Sequence, residues 1–141
     1  MILRRPTLSL VGPAVLLTSL ALAGCGSDGG GDAPPAVCSS VDSLKTSVAD
    51  LTDVDIDQGA LTVLQGNLDQ VQSDLSEVKK DAKDEFGDEV AAVDQAASSV
   101  SQSLDAATAT PSVTTVTAVG AAIQELGTSL TALGDAVKST C

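Results

Sequence analysis

Residues 79–90 read KKDAKDEFGDEV, and whether this stretch turns or runs straight decides the fold. Apolar positions lead into it through Leu61, Leu64, Leu68, Val71, Leu75, Val78 and Ala82. They leave it through Phe86, Val90, Val93, Ala97, Val100, Leu104 and Ala107. The stripe makes 13 steps over 46 residues, about 3.5 residues per step, the period of one helix face. A loop at Glu85-Phe86-Gly87-Asp88 would be expected to reset the helical phase, yet the phase carries through. A single glycine inside a helix costs only about 1 kcal/mol. The spacing therefore predicts one long helix over residues 58–108. The alternative is two helices joined near Gly87.

Two further stripes flank this one. Val41, Leu44, Val48 and Leu51 form the first, with Ser39 as its expected N-cap and Asp42 near the positive helix end. Val116, Val119, Ile123, Leu126, Leu130, Leu133 and Val137 form the last. Thr110 is the expected N-cap there and Pro111 the first helical residue, because proline suits that position. Gly120, Gly127 and Gly134 recur every seven residues beside this stripe, with Ala122, Ser129 and Ala136 on its other flank. Such small residues let neighbouring backbones approach closely. Glu125, Asp135 and Lys138 argue against a membrane-spanning helix here.

The resulting expectation is an all-α fold with coiled-coil-like spacing. It is an elongated antiparallel three-helix arrangement in which one long central helix, about 75 Å at 1.5 Å per residue, carries two shorter helices. The alternative is a compact four-helix up-down bundle, with Phe86 at the side far from the chain ends or in a loop. In the three-helix arrangement Cys38 falls beside Leu75, and Cys141 falls beside residues 78–80.

The N-terminus is a different kind of sequence. Arg4 and Arg5 precede an apolar run over residues 8–23 that ends in small residues, the pattern of a secretory signal over residues 1–24. About 16 residues are short of the roughly 20 that span a bilayer. A permanent anchor helix is the rival reading. Residues 26–37, GSDGGGDAPPAV, form a linker that is flexible where glycine dominates and stiffer at Pro34-Pro35.

Leu22-Ala23-Gly24-Cys25 resembles the lipobox of small bacterial lipoproteins, and the Ala, Asp, Val and Thr bias is similar to that of high-GC Gram-positive bacteria. The resemblance covers only the signal segment. It implies a diacylglyceryl group on the Cys25 sulfur, cleavage before Cys25 and acylation by palmitate-like chains. Two or three such chains anchor a protein stably, whereas one holds it marginally. The resemblance thus implies residues 25–37 as a lipidated linker, residues 38–141 as a helical domain, and location at the extracytoplasmic face of the cell membrane. The heptads also resemble those of small helical lipoproteins that brace the cell envelope. Some of those end in a lysine linked to peptidoglycan, while this chain ends in Cys141. With Cys25 lipidated, Cys38 and Cys141 remain outside the cytoplasm, where disulfides persist, and are expected to pair.

From Cys25 onward the chain carries five lysines against 19 acidic residues, a net charge of −14. Nucleic acid is excluded as a partner, since it needs a basic footprint. Anionic lipid is excluded as an electrostatic docking surface, so membrane attachment falls to the lipid on Cys25. An envelope protein is the expected partner, and the acidic surface leaves a cationic partner or divalent ions as the alternative.

The chemistry is sparse. There is no histidine, and Met1 is the one methionine, so haem, copper and His-based zinc sites and Ser-His-Asp catalysis lack their parts. No enzyme activity and no cofactor are expected. Asp53, Asp55 and Asp57 resemble the start of a calcium loop and are the one weak metal candidate. Gln58 stands where that loop needs glycine and Leu64 where it needs a bidentate Glu, so a capping turn between helices is expected, with Val54 and Ile56 as packing residues. The run 79–85 reads as a solvated helix face with local ion pairs. Two functions follow as expectations: a non-enzymatic helical interaction or spacer module on a membrane, or a protein that binds a small or cationic ligand between helices.

Overall fold

A computed structural model describes residues 35–82 and 84–141. The signal segment 1–24, Cys25 and the linker up to residue 34 lie outside the described residues. Four α-helices follow one another: α1 Ala36–Thr52, α2 Leu61–Ala82, α3 Gly87–Ala109 and α4 Val113–Val137. Each packs antiparallel to the next, and α4 returns beside α1, so α1 and α3, like α2 and α4, face each other across the core diagonal. This is the four-helix up-down bundle.

The long central helix is not formed. It breaks into α2 and α3, with Phe86 at the N-cap of α3. All 14 positions of the stripe from Leu61 to Ala107 are nevertheless buried. Phase survives the break because Ala82, Phe86 and Val90 still step by four, so the turn advances the chain by about one helical turn. The Phe86 carbonyl already accepts from the Val90 N–H over 2.9 Å. Folding wins because a straight helix carrying one partner along each half makes only paired helices. The hairpin brings four apolar stripes around one core, and most helical stability in proteins comes from such burial. Leu44, Leu51, Leu64, Leu104, Leu126 and Leu133 are the large side chains fully buried there, among valines and alanines.

Helix boundaries follow capping chemistry. The first helix starts at Ala36 rather than after Ser39, which lies exposed within it. Pro35 is the N-cap residue, and its carbonyl accepts from the Cys38 N–H over 2.9 Å. The last helix starts after Ser112, two residues beyond the expected N-cap. Ser112 is extended, its Oγ accepts from the Thr115 N–H over 3.1 Å, and Thr115 Oγ1 accepts from the Ser112 N–H over 3.0 Å. That reciprocal pair satisfies two donors at once, which an N-cap at Thr110 would not provide. Thr110 instead closes α3, donating its N–H to Ala106 over 2.9 Å.

Polar groups fix the pairing of α1 and α2. Ser40 Oγ of α1 donates to the Asp81 carboxylate of α2, and Asn67 of α2 donates to the Asp50 carbonyl over 3.0 Å. Asp74, nearly buried between these levels, accepts from Gln70 over 2.9 Å. Among the described residues every buried side-chain N or O has a partner.

Candidate functional site

Cys38 and Cys141 form a disulfide, with Cα atoms 5.7 Å apart across a sequence separation of 103. The bond lies where α1 begins and α4 ends. The α2–α3 turn lies at this same end, so buried Phe86 shares it rather than standing opposite. The expected position of the cysteines beside the middle of a long helix is thereby corrected. They sit level with the end of α2, where Ser40 meets Asp81.

The opposite end carries the turn over residues 53–60. Asp53 closes α1, donating its N–H to Ala49 over 2.9 Å. The Asp55 carbonyl accepts from the Asp57 N–H over 3.0 Å, and Asp57 Oδ1 accepts from the Ala60 N–H over 2.9 Å. Val54 and Ile56 pack against the core. Of the three carboxylates, Asp57 thus caps the turn into α2, while Asp53 and Asp55 take part through their backbone. Among the described residues no three Cys, Asp or Glu side chains come together as metal ligands.

The run 79–85 is not one helix face, since α2 ends at Ala82, and among the described residues its ion pair is not local. Lys79 Nζ reaches across to Asp94 of α3 at 2.7 Å. Lys45 pairs with Asp42 at 3.5 Å, and Lys138 pairs with Asp135 on the last turn of α4. The Lys138 hydrogen bond and charge, with a smaller contribution from Lys45, hold the Asp135 carboxyl below the usual aspartate range against a slight opposing effect of desolvation.

The seams of the bundle are unequal. Packing is densest between α3 and α4 and between α1 and α2, looser between α2 and α3, and loosest between α1 and α4. Grooves open along the two loose seams. Between α2 and α3 a polar groove of about 380 Å³ is lined by Ser76, Lys79, Asp94, Ser98 and Gln102. It adjoins a smaller one of about 260 Å³ with Asp69 and Asp105 on its walls. Between α1 and α4 a groove of about 420 Å³ has Val48, Ala49 and Thr52 on one wall and Leu130 and Thr131 on the other.

The heptad glycines do not serve close backbone approach there, as the sequence suggests. A Cβ on Gly134 would stand 3.1 Å from Lys45 Cε, so that glycine makes room for a lysine stem. A Cβ on Gly120 would touch Ile56 at 3.4 Å, and one on Gly127 would meet nothing within 4 Å. The Gly127–Gly134 period was the only sequence signal of this groove. The approach of Lys45, 89 residues before Gly134, was not legible.

Among the described residues no helix is long and apolar enough to cross a membrane. No protein-family model, no curated protein and no solved structure matches this chain.

Proposed function

We propose that this chain is a lipoprotein held at the extracytoplasmic face of a cell membrane by lipid on Cys25, and that its bundle is a non-enzymatic interaction or spacer module. The order of leader, lipobox and glycine-rich linker ahead of α1 supports the anchor. One arrangement supports the module. The chain enters the bundle at Pro35, at the disulfide end, so the turns over residues 53–60 and 110–112 both lie at the other end. A tether at one end and turns at the other is the layout of a displayed tip. That tip carries Asp53, Asp55 and Asp57 around half-buried Val54 and Ile56, with Val113 84% exposed nearby in the topology. An envelope protein with a basic, partly apolar surface is the partner that fits it.

Fractionation of cells expressing Cys25→Ser tests the anchor. The variant should leave the membrane fraction and take up no radiolabelled palmitate. Palmitate labelling that persists in the variant refutes it. A photo-cross-linker at position 113 tests the tip, which should capture a defined envelope protein that a cross-linker at Lys138 does not.

A second reading, capture of a small cation between helices, is favoured by Asp69 and Asp105 on the α2–α3 seam. Saturable spermidine binding that is lost in Asp105→Asn would select it.

A further inference from the structure

The groove between α1 and α4 is left open by the chain that builds it. Its volume of about 420 Å³ is within the range of small-molecule sites. Gly127 is half-buried on its lining, and a Cβ there would meet no other atom within 4 Å. Glycine in a helix interior is unfavourable relative to alanine, and no contact within the bundle accounts for its presence here. Val48 and Leu130, both buried, form the apolar floor of the groove. From Gly127 to Lys138 the α4 wall runs about 16 Å at 1.5 Å per residue. Val48, Ala49 and Leu130 give the groove an aliphatic strip beside the polar Thr52 and Thr131, an arrangement that suits an unbranched flexible chain.

Charge completes the pattern. Lys45 and Lys138 both line the groove, against the single carboxylate of Asp135. The lining thus carries two cations to one anion in a chain of formal net charge −12, with Asp42 pairing Lys45 from outside the lining. The smaller α2–α3 groove has the opposite balance, with Asp69 and Asp105 and no lysine. Asp135 is already held ionised by Lys138, while Lys45 reaches Asp42 only at 3.5 Å on an exposed edge. A second anion thus has a cation available to it.

We propose that this groove binds a single-chain fatty carboxylate, with the tail along Val48, Gly127 and Leu130 and the carboxylate beside Lys45 and Lys138. Apolar burial supplies the affinity for the tail, and the lysines fix its direction. The site does not depend on lipid at Cys25.

Calorimetric titration of the full chain with dodecanoate below its micelle concentration tests the proposal. One saturable site is expected. Gly127→Leu, which puts a side chain into the open space, should weaken it at least about tenfold while helical circular dichroism stays unchanged. Ala49→Phe, on the opposite wall, should do the same and keeps the test decisive if Gly127→Leu fails to fold. Lys45→Gln combined with Lys138→Gln should weaken dodecanoate several-fold and bring it level with dodecanol. Binding that survives both groove-filling variants belongs elsewhere, for example on residues 8–23, and overturns the proposal. So does equal affinity of the unsubstituted chain for dodecanol and dodecanoate, or tighter binding of a diacyl phospholipid than of dodecanoate.

Discussion

Lys79 of α2 and Asp94 of α3 are joined over 2.7 Å, although 15 residues separate them in sequence. In one continuous helix they would stand about 22 Å apart. The pair is roughly half exposed at both ends, so it is worth at most about 1 kcal/mol and marks the hairpin rather than causing it. What drives the hairpin is the burial of both halves of one stripe against each other and against α1 and α4.

Spin labels at Thr62 and Thr108 measure this directly. Both sites lie at the end opposite the disulfide, and Gln65 already approaches Thr108 at 3.4 Å. The expected separation is under about 30 Å, whereas a continuous helix would give roughly 70 Å. A distance near the larger figure in double electron–electron resonance would reject the bundle.

Opening the Cys38–Cys141 bond removes a constraint on a loop of about 100 residues. The chain-entropy model sets this at roughly 4–5 kcal/mol. Both Cys38→Ser and reduction by a thiol should lower the urea midpoint by the same amount. Hydrogen exchange should rise first on α1 and α4, which meet along the loosest seam. Unchanged midpoints under reducing conditions would show that the core alone holds the ends together.

The glycines at 127 and 134 should respond in opposite senses. Gly127→Ala gains helix propensity with open space around the new methyl, and should stabilise by about 0.5–1 kcal/mol. Gly134→Ala gains the same propensity but meets Lys45 Cε at 3.1 Å. It should stabilise less or not at all, unless Lys45→Ala is introduced with it. Chemical denaturation of the two single variants and the double variant separates these cases.

Asp135 should titrate below the usual aspartate range, because Lys138 donates to it and favours its charged form. A folded-state value lowered below the unfolded one gives stability that is present above the unfolded value. That stability is lost as pH falls through the folded value. The carboxyl carbon resonance of Asp135, followed by NMR from pH 6 to pH 2, should move back toward the ordinary value in Lys138→Gln. No difference between the two chains would remove the ion pair as the cause. The effect on overall stability should be slight, since both groups are largely exposed.

The core was legible in the sequence because burial obeys a period. Val41, Leu44, Val48 and Leu51, and all 14 positions from Leu61 to Ala107, were marked by spacing alone and are all buried. In the last stripe only Val116 is half-buried rather than buried, near the start of α4. The turn through Asp53, Asp55 and Asp57 was legible too, because aspartate is a poor residue inside a helix and a good cap. The pairing of Cys38 with Cys141 was expected once Cys25 was set aside as the lipidated residue, and the two are bonded. The α1–α4 groove was not legible, since it depends on Lys45 of α1 lying against Gly134 of α4 across helices that are remote in sequence.

The sequence by itself determined which faces are apolar, how many residues each stripe contains, and that helices rather than strands carry them, because those properties are local and repeat with the helical period. Only the tertiary structure decided that the stripe through residues 79–90 folds back at Phe86. A four-residue turn preserves helical phase almost as well as an unbroken helix does. The local signal is therefore the same for both, and the difference lies in how much apolar surface the rest of the chain can cover.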